Sequence, residues 1–210
     1  FAQFGNKDDV VLPDGRAFAD ALGADYLAQK YHTGLLLTEP ASLPTSTRLA
    51  IIDQNVKRVF ITGGPAAVSP AVEAEIAALN VGGNSANPKV QVVRIAGADR
   101  YATNSEINRT VAGASNEPTV LMASGLDFPD ALALGPVSYH KGLPLILSNG
   151  TSLSSSNAAQ LTDLGVTRVV IAGGTSSVSQ AVENAITAKG IAVTRVAGAN
   201  RFSTATAIAK

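Results

Sequence analysis

Short apolar runs alternate with stretches of helical periodicity along most of the chain. Thr119 to Ala123, ending at Ser124-Gly125, is a continuous apolar run of strand length. The turn Leu126-Asp127-Phe128-Pro129 leads into Asp130-Ala131-Leu132-Ala133-Leu134, which reads as the opening of a helix. Leu143 to Leu147 gives a second buried strand, followed by the polar stretch Ser148 to Ser156. Asn157 to Leu164 sets Ala158, Leu161 and Leu164 at helical spacing and stops at Gly165. Arg168 to Ala172 is a third strand, Gly173-Gly174 a turn, Val178 to Ala188 a helix and Ile191 to Val196 a fourth strand. Unbroken apolar strands separated by helices predict a parallel sheet covered on both faces.

The same order occurs once before. Phe18-Ala19-Asp20-Ala21-Leu22 returns as Phe128-Pro129-Asp130-Ala131-Leu132, and Gly63-Gly64 returns as Gly173-Gly174, both 110 residues on. Roughly a third of the positions from Val10 to Leu79 are identical to their partners at this offset. The first copy places its strands at Val10 to Leu12, Leu35 to Leu37, Arg58 to Thr62 and Val90 to Ile95. A Gly-, Asn- and Pro-rich insertion from Val81 to Lys89 reads as a surface loop. It shortens the offset of the next motif to 101, where Arg94 to Arg100 returns as Arg195 to Arg201. Helices are expected after each of these, at Tyr101 to Val111 and Phe202 to Lys210. The resulting division is module 1 over 1–94, module 2 over 95–194 and the start of a third over 195–210. The pattern reads as a window cut from a longer repeat protein.

At 210 residues, two domains of about 100 fit the repeat. Aromatics are only 5%, so the cores are built from Ala, Val, Leu and Ile. Sixteen basic residues balance sixteen acidic ones, which leaves no global field to recruit nucleic acid or an anionic membrane. Cysteine is absent, which excludes disulfides, thiolate metal sites and a cysteine nucleophile. No apolar run reaches the length of a membrane span. The first residues lack the basic and apolar regions of a secretion signal, as in a cytosolic chain or a trimmed segment.

Duplication also screens the chemistry. Asp20 and Asp130 are repeated acids at strand-to-helix turns, where a carboxylate caps exposed N–H groups. Catalysis would need a partner, and Asp127, the nearest acid, is Ala17 in the other copy. His140 aligns with Lys30 and His32 with Gly142, which argues against a histidine triad or a metal site. Gly63-Gly64 and Gly173-Gly174 follow strands and precede helices. They read as tight turns needing positive φ, and their amides are candidates for holding an anion. No P-loop or full GxGxxG motif is present, so no nucleotide cofactor is expected. Arg94, Arg100, Arg195 and Arg201 are the stronger ligand candidates, since guanidinium forks suit carboxylate, phosphate or pyruvyl groups. Their alternative role is to pair with Asp99 or with acids of a neighbouring module. Leu35-Leu36-Leu37 and Leu145-Ile146-Leu147 are core strand, and Thr151 to Ser156 is a loop whose hydroxyls suit sugars.

Four ordered motifs resemble cell wall binding repeat 2 of Gram-positive surface-layer and cell-wall proteins. They are Arg94 to Thr103; Ser124-Gly125 with Phe128 to Leu132; Pro144 to Leu147; and Ile171 to Gly174 with Val178-Ser179. The resemblance implies an α/β fold of tandem Rossmann-like or Toprim-like modules, each a small, mainly parallel sheet flanked by helices. It implies a non-catalytic, extracellular anchor that holds an anionic cell-wall polysaccharide non-covalently, with neighbouring modules packed in threes. The alternatives are the binding region of a peptidoglycan hydrolase or amidase whose catalytic domain lies elsewhere, or a purely structural surface-layer module. Module 1 departs from the motifs at Pro13-Asp14, Ala17, Ala19 and Gly34.

Overall fold

The computed structural model describes residues 8–81, 89–111 and 118–210. In module 1, β1 (Asp9–Pro13), β2 (Arg58–Thr62) and β3 (Gln91–Ile95) form a parallel sheet in the order β1-β2-β3. In module 2, β4 (Thr119–Ser124), β5 (Leu145–Ser148), β6 (Arg168–Ala172) and β7 (Ala192–Val196) form a parallel sheet in the order β5-β4-β6-β7. The segment expected as a strand at Leu35 to Leu37 runs beside β1 with only two isolated bridges, Val11–Leu35 and Asp14–Thr38. Backbone bonds still hold it there, from Val11 N–H to Gly34 and from Leu36 N–H to Val11. It is the counterpart of β5; the ladder continues through Thr38 N–H to Pro13 and Gly15 N–H to Thr38, and it is interrupted at Pro13, which has no N–H to give Leu36. Most of the expected insertion, 82–88, lies outside the described residues.

Alternation along the strands builds the layers. Val10, Leu12, Val59 and Ile61 face a core on one side of the first sheet, while Val11 and Phe60 face a second core on the other. Module 2 repeats this, with Val120, Met122 and Ile171 on one side and Leu121, Ala123 and Ala172 on the other. The first side is covered by α2 (Thr45–Asp53) and α3 (Pro70–Ala77), or by α6 (Ser155–Asp163) and α7 (Gln180–Thr187). The second is covered by α1 (Ala24–Lys30) and α4 (Arg100–Val111), or by α5 (Pro129–Lys141) and α8 (Arg201–Ile208). Serine caps start three of them: Ser69, Ser154 and Ser179 each accept from a backbone N–H three residues on. The helix expected from Val178 therefore begins at Gln180, after a turn. Gly165 takes φ +61° just past α6, as expected of a C-terminal stop.

The modules meet through α4, which packs on α1 of module 1 and on β5 of module 2. A sheet edge presents backbone groups at alternate residues, and those of β5 are met by side-chain amides. Asn104 donates from Nδ2 to the Leu145 carbonyl (2.8 Å) and accepts at Oδ1 from the Leu147 N–H (3.0 Å), as a neighbouring strand would. Asn108 donates to the same carbonyl (3.0 Å) and to Gln160 Oε1 (3.0 Å). Tyr101 lies over Gly125, where a Cβ would come within 2.7 Å of its ring. Equivalent elements also touch: α1 packs on α5, and Phe18 meets Phe128 with ring centroids 5.1 Å apart. Asp25 sits in this contact with its carboxylate against Gly135, and burial raises its pKa.

Two outcomes follow from this joint. Asn104→Ala leaves the Leu147 N–H buried without an acceptor, at a cost of about 1–3 kcal/mol. Denaturant titration should show that loss, and amide exchange should show Leu147 deprotected while Leu37 is unchanged. For Asp25, an acid whose folded pKa is raised contributes stability that is fully present below its ordinary value near 3.8 and lost as pH rises through the folded value. The stability of Asp25→Asn relative to the parent should therefore grow with pH across that window and then level off, as followed by urea midpoints.

Candidate functional site

In module 2 the chain leaves β4 for β5 on one side and later crosses to β6 on the other. The loops diverge at the carboxyl ends of β4 and β6, which opens a crevice at the point where ligands of parallel α/β sheets bind. A cleft of about 220 Å³ lies there, lined by Asp127, Asp130, Gly174, Ser176, Ser177 and the Asn200-Arg201 end of α8 among others.

Asp130 does not cap a helix. The N-cap of α5 is Phe128 and makes no side-chain bond, and Asp20 lies in a 3-10 turn, Phe18–Asp20, ahead of α1. Each carboxylate instead reaches across the crevice to the first glycine of the Gly-Gly turn. A Cβ on Gly63 would lie 2.6 Å from Asp20 Oδ2, and one on Gly173 would collide with Asp130 Oδ2. Both glycines also take positive φ, +110° and +96°. Each is therefore required twice over, by its backbone angle and by the acid beside it. Burial raises the pKa of Asp20, opposed by the Thr103 hydroxyl and by the Arg100 charge.

The arginines divide by position. Arg94 donates to both the Gly63 carbonyl (2.7 Å) and the Val68 carbonyl (2.9 Å), and pairs with Glu73 at 2.7 Å. Arg195 donates to the Gly173 carbonyl (2.8 Å) and pairs with Glu183, also at 2.7 Å. Their side chains are only 17% and 16% exposed. Each partner sits on the helix that packs on the arginine's own strand, Glu73 on α3 and Glu183 on α7, and is not Asp99. Asp99 instead accepts the Ala102 N–H (2.8 Å) at the start of α4. Arg100 donates to the Gly125 carbonyl of module 2 (2.7 Å), with its guanidinium 5.6 Å from the centroid of the Phe18 ring. Arg201 stays in the open, its side chain 53% exposed and 3.8 Å from Asp127.

The glycine amides divide likewise. The N–H groups of Gly63 and Gly173 donate to Ile95 and Val196. Of the second glycines, Gly174 lines the cleft. Among the described residues no group of three or more His, Cys, Asp or Glu could hold a metal ion, and no helix is long and apolar enough to cross a membrane. Sequence reasoning missed Ser176, Ser177 and Asn200 in the cleft, and Asn104 at the joint. It also missed Glu73 and Glu183, although their identity at the 110-residue offset was a visible signal.

The sequence profile described as cell wall binding domain 2 (CWB2) matches residues 2–73 and 94–183. The chain belongs to this family. It is 30% identical over 202 residues to the N-acetylmuramoyl-L-alanine amidase LytC of Bacillus subtilis, covering 96% of this chain and 38% of that protein. It is 28% identical over 201 residues to the amidase enhancer of the same organism, covering 96% and 26%. The structure superposes on Cwp6 from Clostridium difficile with a TM-score of 0.85 at 27% identity, covering 96% of this chain and 31% of the other. For Cwp8 the values are 0.82, 26%, 98% and 33%. The chain thus spans well under half of these relatives. Its tandem α/β modules are those of a cell-wall-binding region at the cell wall or surface layer.

Two measurements probe this geometry. Gly173→Ala should destabilise the protein, and Asp130→Gly should restore part of the loss, because one of the two constraints is then gone; a double-mutant cycle by denaturation reads the coupling. Glu183→Gln should cost roughly 1–3 kcal/mol by leaving a half-buried guanidinium short of its partner, whereas Arg201→Gln should leave the unfolding midpoint unchanged.

Proposed function

We propose that this region attaches a bacterial surface protein to the wall without catalysis, by holding an anionic secondary polymer in the crevice of module 2. The observation that supports this best is the open Arg201, set in a cleft of hydroxyl, amide and carboxylate groups within a wall-binding fold. Asp127 and Asp130 outnumber that single cation, so charge alone would not draw in an anion. The cleft suits a sugar whose hydroxyls bond to Asp127, Ser176, Ser177 and Asn200, with its acidic substituent replacing Asp127 on Arg201. The Gly174 amide is a further donor. Of the eight residues expected to bind ligand, Arg201 and Gly174 keep that role in this proposal. Arg94, Arg195, Gly63 and Gly173 shape the crevice, Arg100 joins the modules, and Gly64 forms the corresponding turn of module 1.

No nucleophile–base pair recurs between the modules, which supports an anchor over a hydrolase. Where a relative is named an amidase, the reading for this chain is its binding region, with catalysis placed outside these residues. The proposed boundaries remain 1–94, 95–194 and 195–210, and the proposed protein partners are further modules of the same repeat, in threes.

Co-sedimentation with protein-stripped walls tests the site. One charged hydrogen bond contributes about 1.5–3 kcal/mol, so Arg201→Gln should weaken binding roughly tenfold to a hundredfold. Raising the salt should weaken the parent more than the variant. Equal binding by both proteins at every salt concentration would place the ligand elsewhere.

A further inference from the structure

The two modules present the same sheet edge in two different states. In module 2, Leu145, Ile146 and Leu147 are fully buried, with Asn104 bridging the edge and Tyr101 seated on Gly125. In module 1 the counterparts Leu35 and Leu36 are half-buried and Leu37 is 53% exposed. The register is kept. Thr47 donates to the Leu37 carbonyl (2.7 Å), as Asn157 does to that of Leu147 (3.0 Å). Gly15 stands where Gly125 stands, 110 residues earlier, with Leu37 leaning over it at 3.1 Å from a would-be Cβ. Beside this edge lies a groove of about 560 Å³, lined by Gly34, Leu35, Leu132, Pro136, Tyr139 and Asp25 among others.

We propose that the Leu35–Leu37 edge of module 1 is a docking site for a helix equivalent to α4 supplied by a further module, and that the helix reads the edge with one aromatic side chain and one side-chain amide. The aromatic ring sits on Gly15, and an asparagine three residues later accepts the Leu37 N–H and donates to the Leu35 carbonyl. The warrant is the joint already present in this chain, where Tyr101 and Asn104 do this to Gly125, Leu145 and Leu147. The choice of occupant rests on the reading that modules pack against one another. The amide requirement goes beyond that reading, and it discriminates between helices. At the start of α8, Phe202 stands in the place of Tyr101 and is 78% exposed, but Ala205 replaces Asn104. That helix offers the ring without the amide, so it fits a glycine socket but leaves this backbone edge unpaired. Unpaired backbone groups in a covered edge are costly, which makes the amide a selector of which module follows which.

The test uses the whole chain and a synthetic helix of the sequence Asp99 to Val111, held by a hydrocarbon bridge between positions 106 and 110 on its outer face. Amide spectra of the labelled chain should shift at Gly15, Leu35 and Leu37 as the helix is added, with exchange protection appearing at Leu37. The same helix with Asn104→Ala should bind at least tenfold more weakly, and with Tyr101→Ala likewise. If the Asn104→Ala helix shifts the same residues at the same concentration, the amide rule is wrong and packing of modules at this edge survives. If neither helix perturbs these residues, the edge is no docking site and both statements fall.

Discussion

A parallel sheet leaves a row of backbone donors and acceptors along its outermost strand, and a sheet this small has little else to protect it. Burying such a row unpaired costs more than the apolar contacts around it return. The chain resolves this at one edge with α4, the helix between the two sheets, whose Asn104 amide stands in for the missing strand. The position of α4 follows from this requirement. It brings Arg100 onto Gly125, Tyr101 onto the same glycine and Phe18 onto Phe128, which fixes how the modules sit. At the equivalent edge of module 1, Leu37 is left exposed.

The functional crevice depends on the same economy of groups. Gly173 is bare because Asp130 lies against it, and Arg195 buttresses the turn from below by taking the Gly173 carbonyl and Glu183. This rigid frame leaves only the outer rim available to a ligand. In module 1 the corresponding arginine is drawn away into the joint, so duplicated sequence has not produced duplicated sites.

Much of this was legible in the sequence because duplication filtered it. The buried strands, the Gly-Gly turns and the Gly165 stop follow from apolar runs and punctuation, and the shared offset fixed the module order. Leu35 to Leu37 resembles β5 closely, but its partner strand carries Pro13 where β4 carries Ala123, and the missing N–H breaks the ladder into isolated bridges. Asp130 was read as a cap because its position suits one, although the carboxylate turns toward Gly173. Asn104 gave no signal, since its role lies in a tertiary contact and its counterpart is Ala205. The four arginines looked alike in the motif and differ only through their surroundings. Arg94 and Arg195 face acids on α3 and α7, Arg100 faces a carbonyl across the joint, and Arg201 faces solvent.

The central claim is that the open crevice recognises an anionic polymer carried on the wall, and not the wall's peptide-linked scaffold. The most direct measurement compares binding of the intact chain to walls before and after hydrofluoric acid removes their secondary polymer. Binding should be lost on the stripped walls, and the released polymer should compete with intact walls for the protein while shifting the amide signals of Gly174 and Ser177. Undiminished binding to stripped walls, with no shift at those residues, would contradict the account.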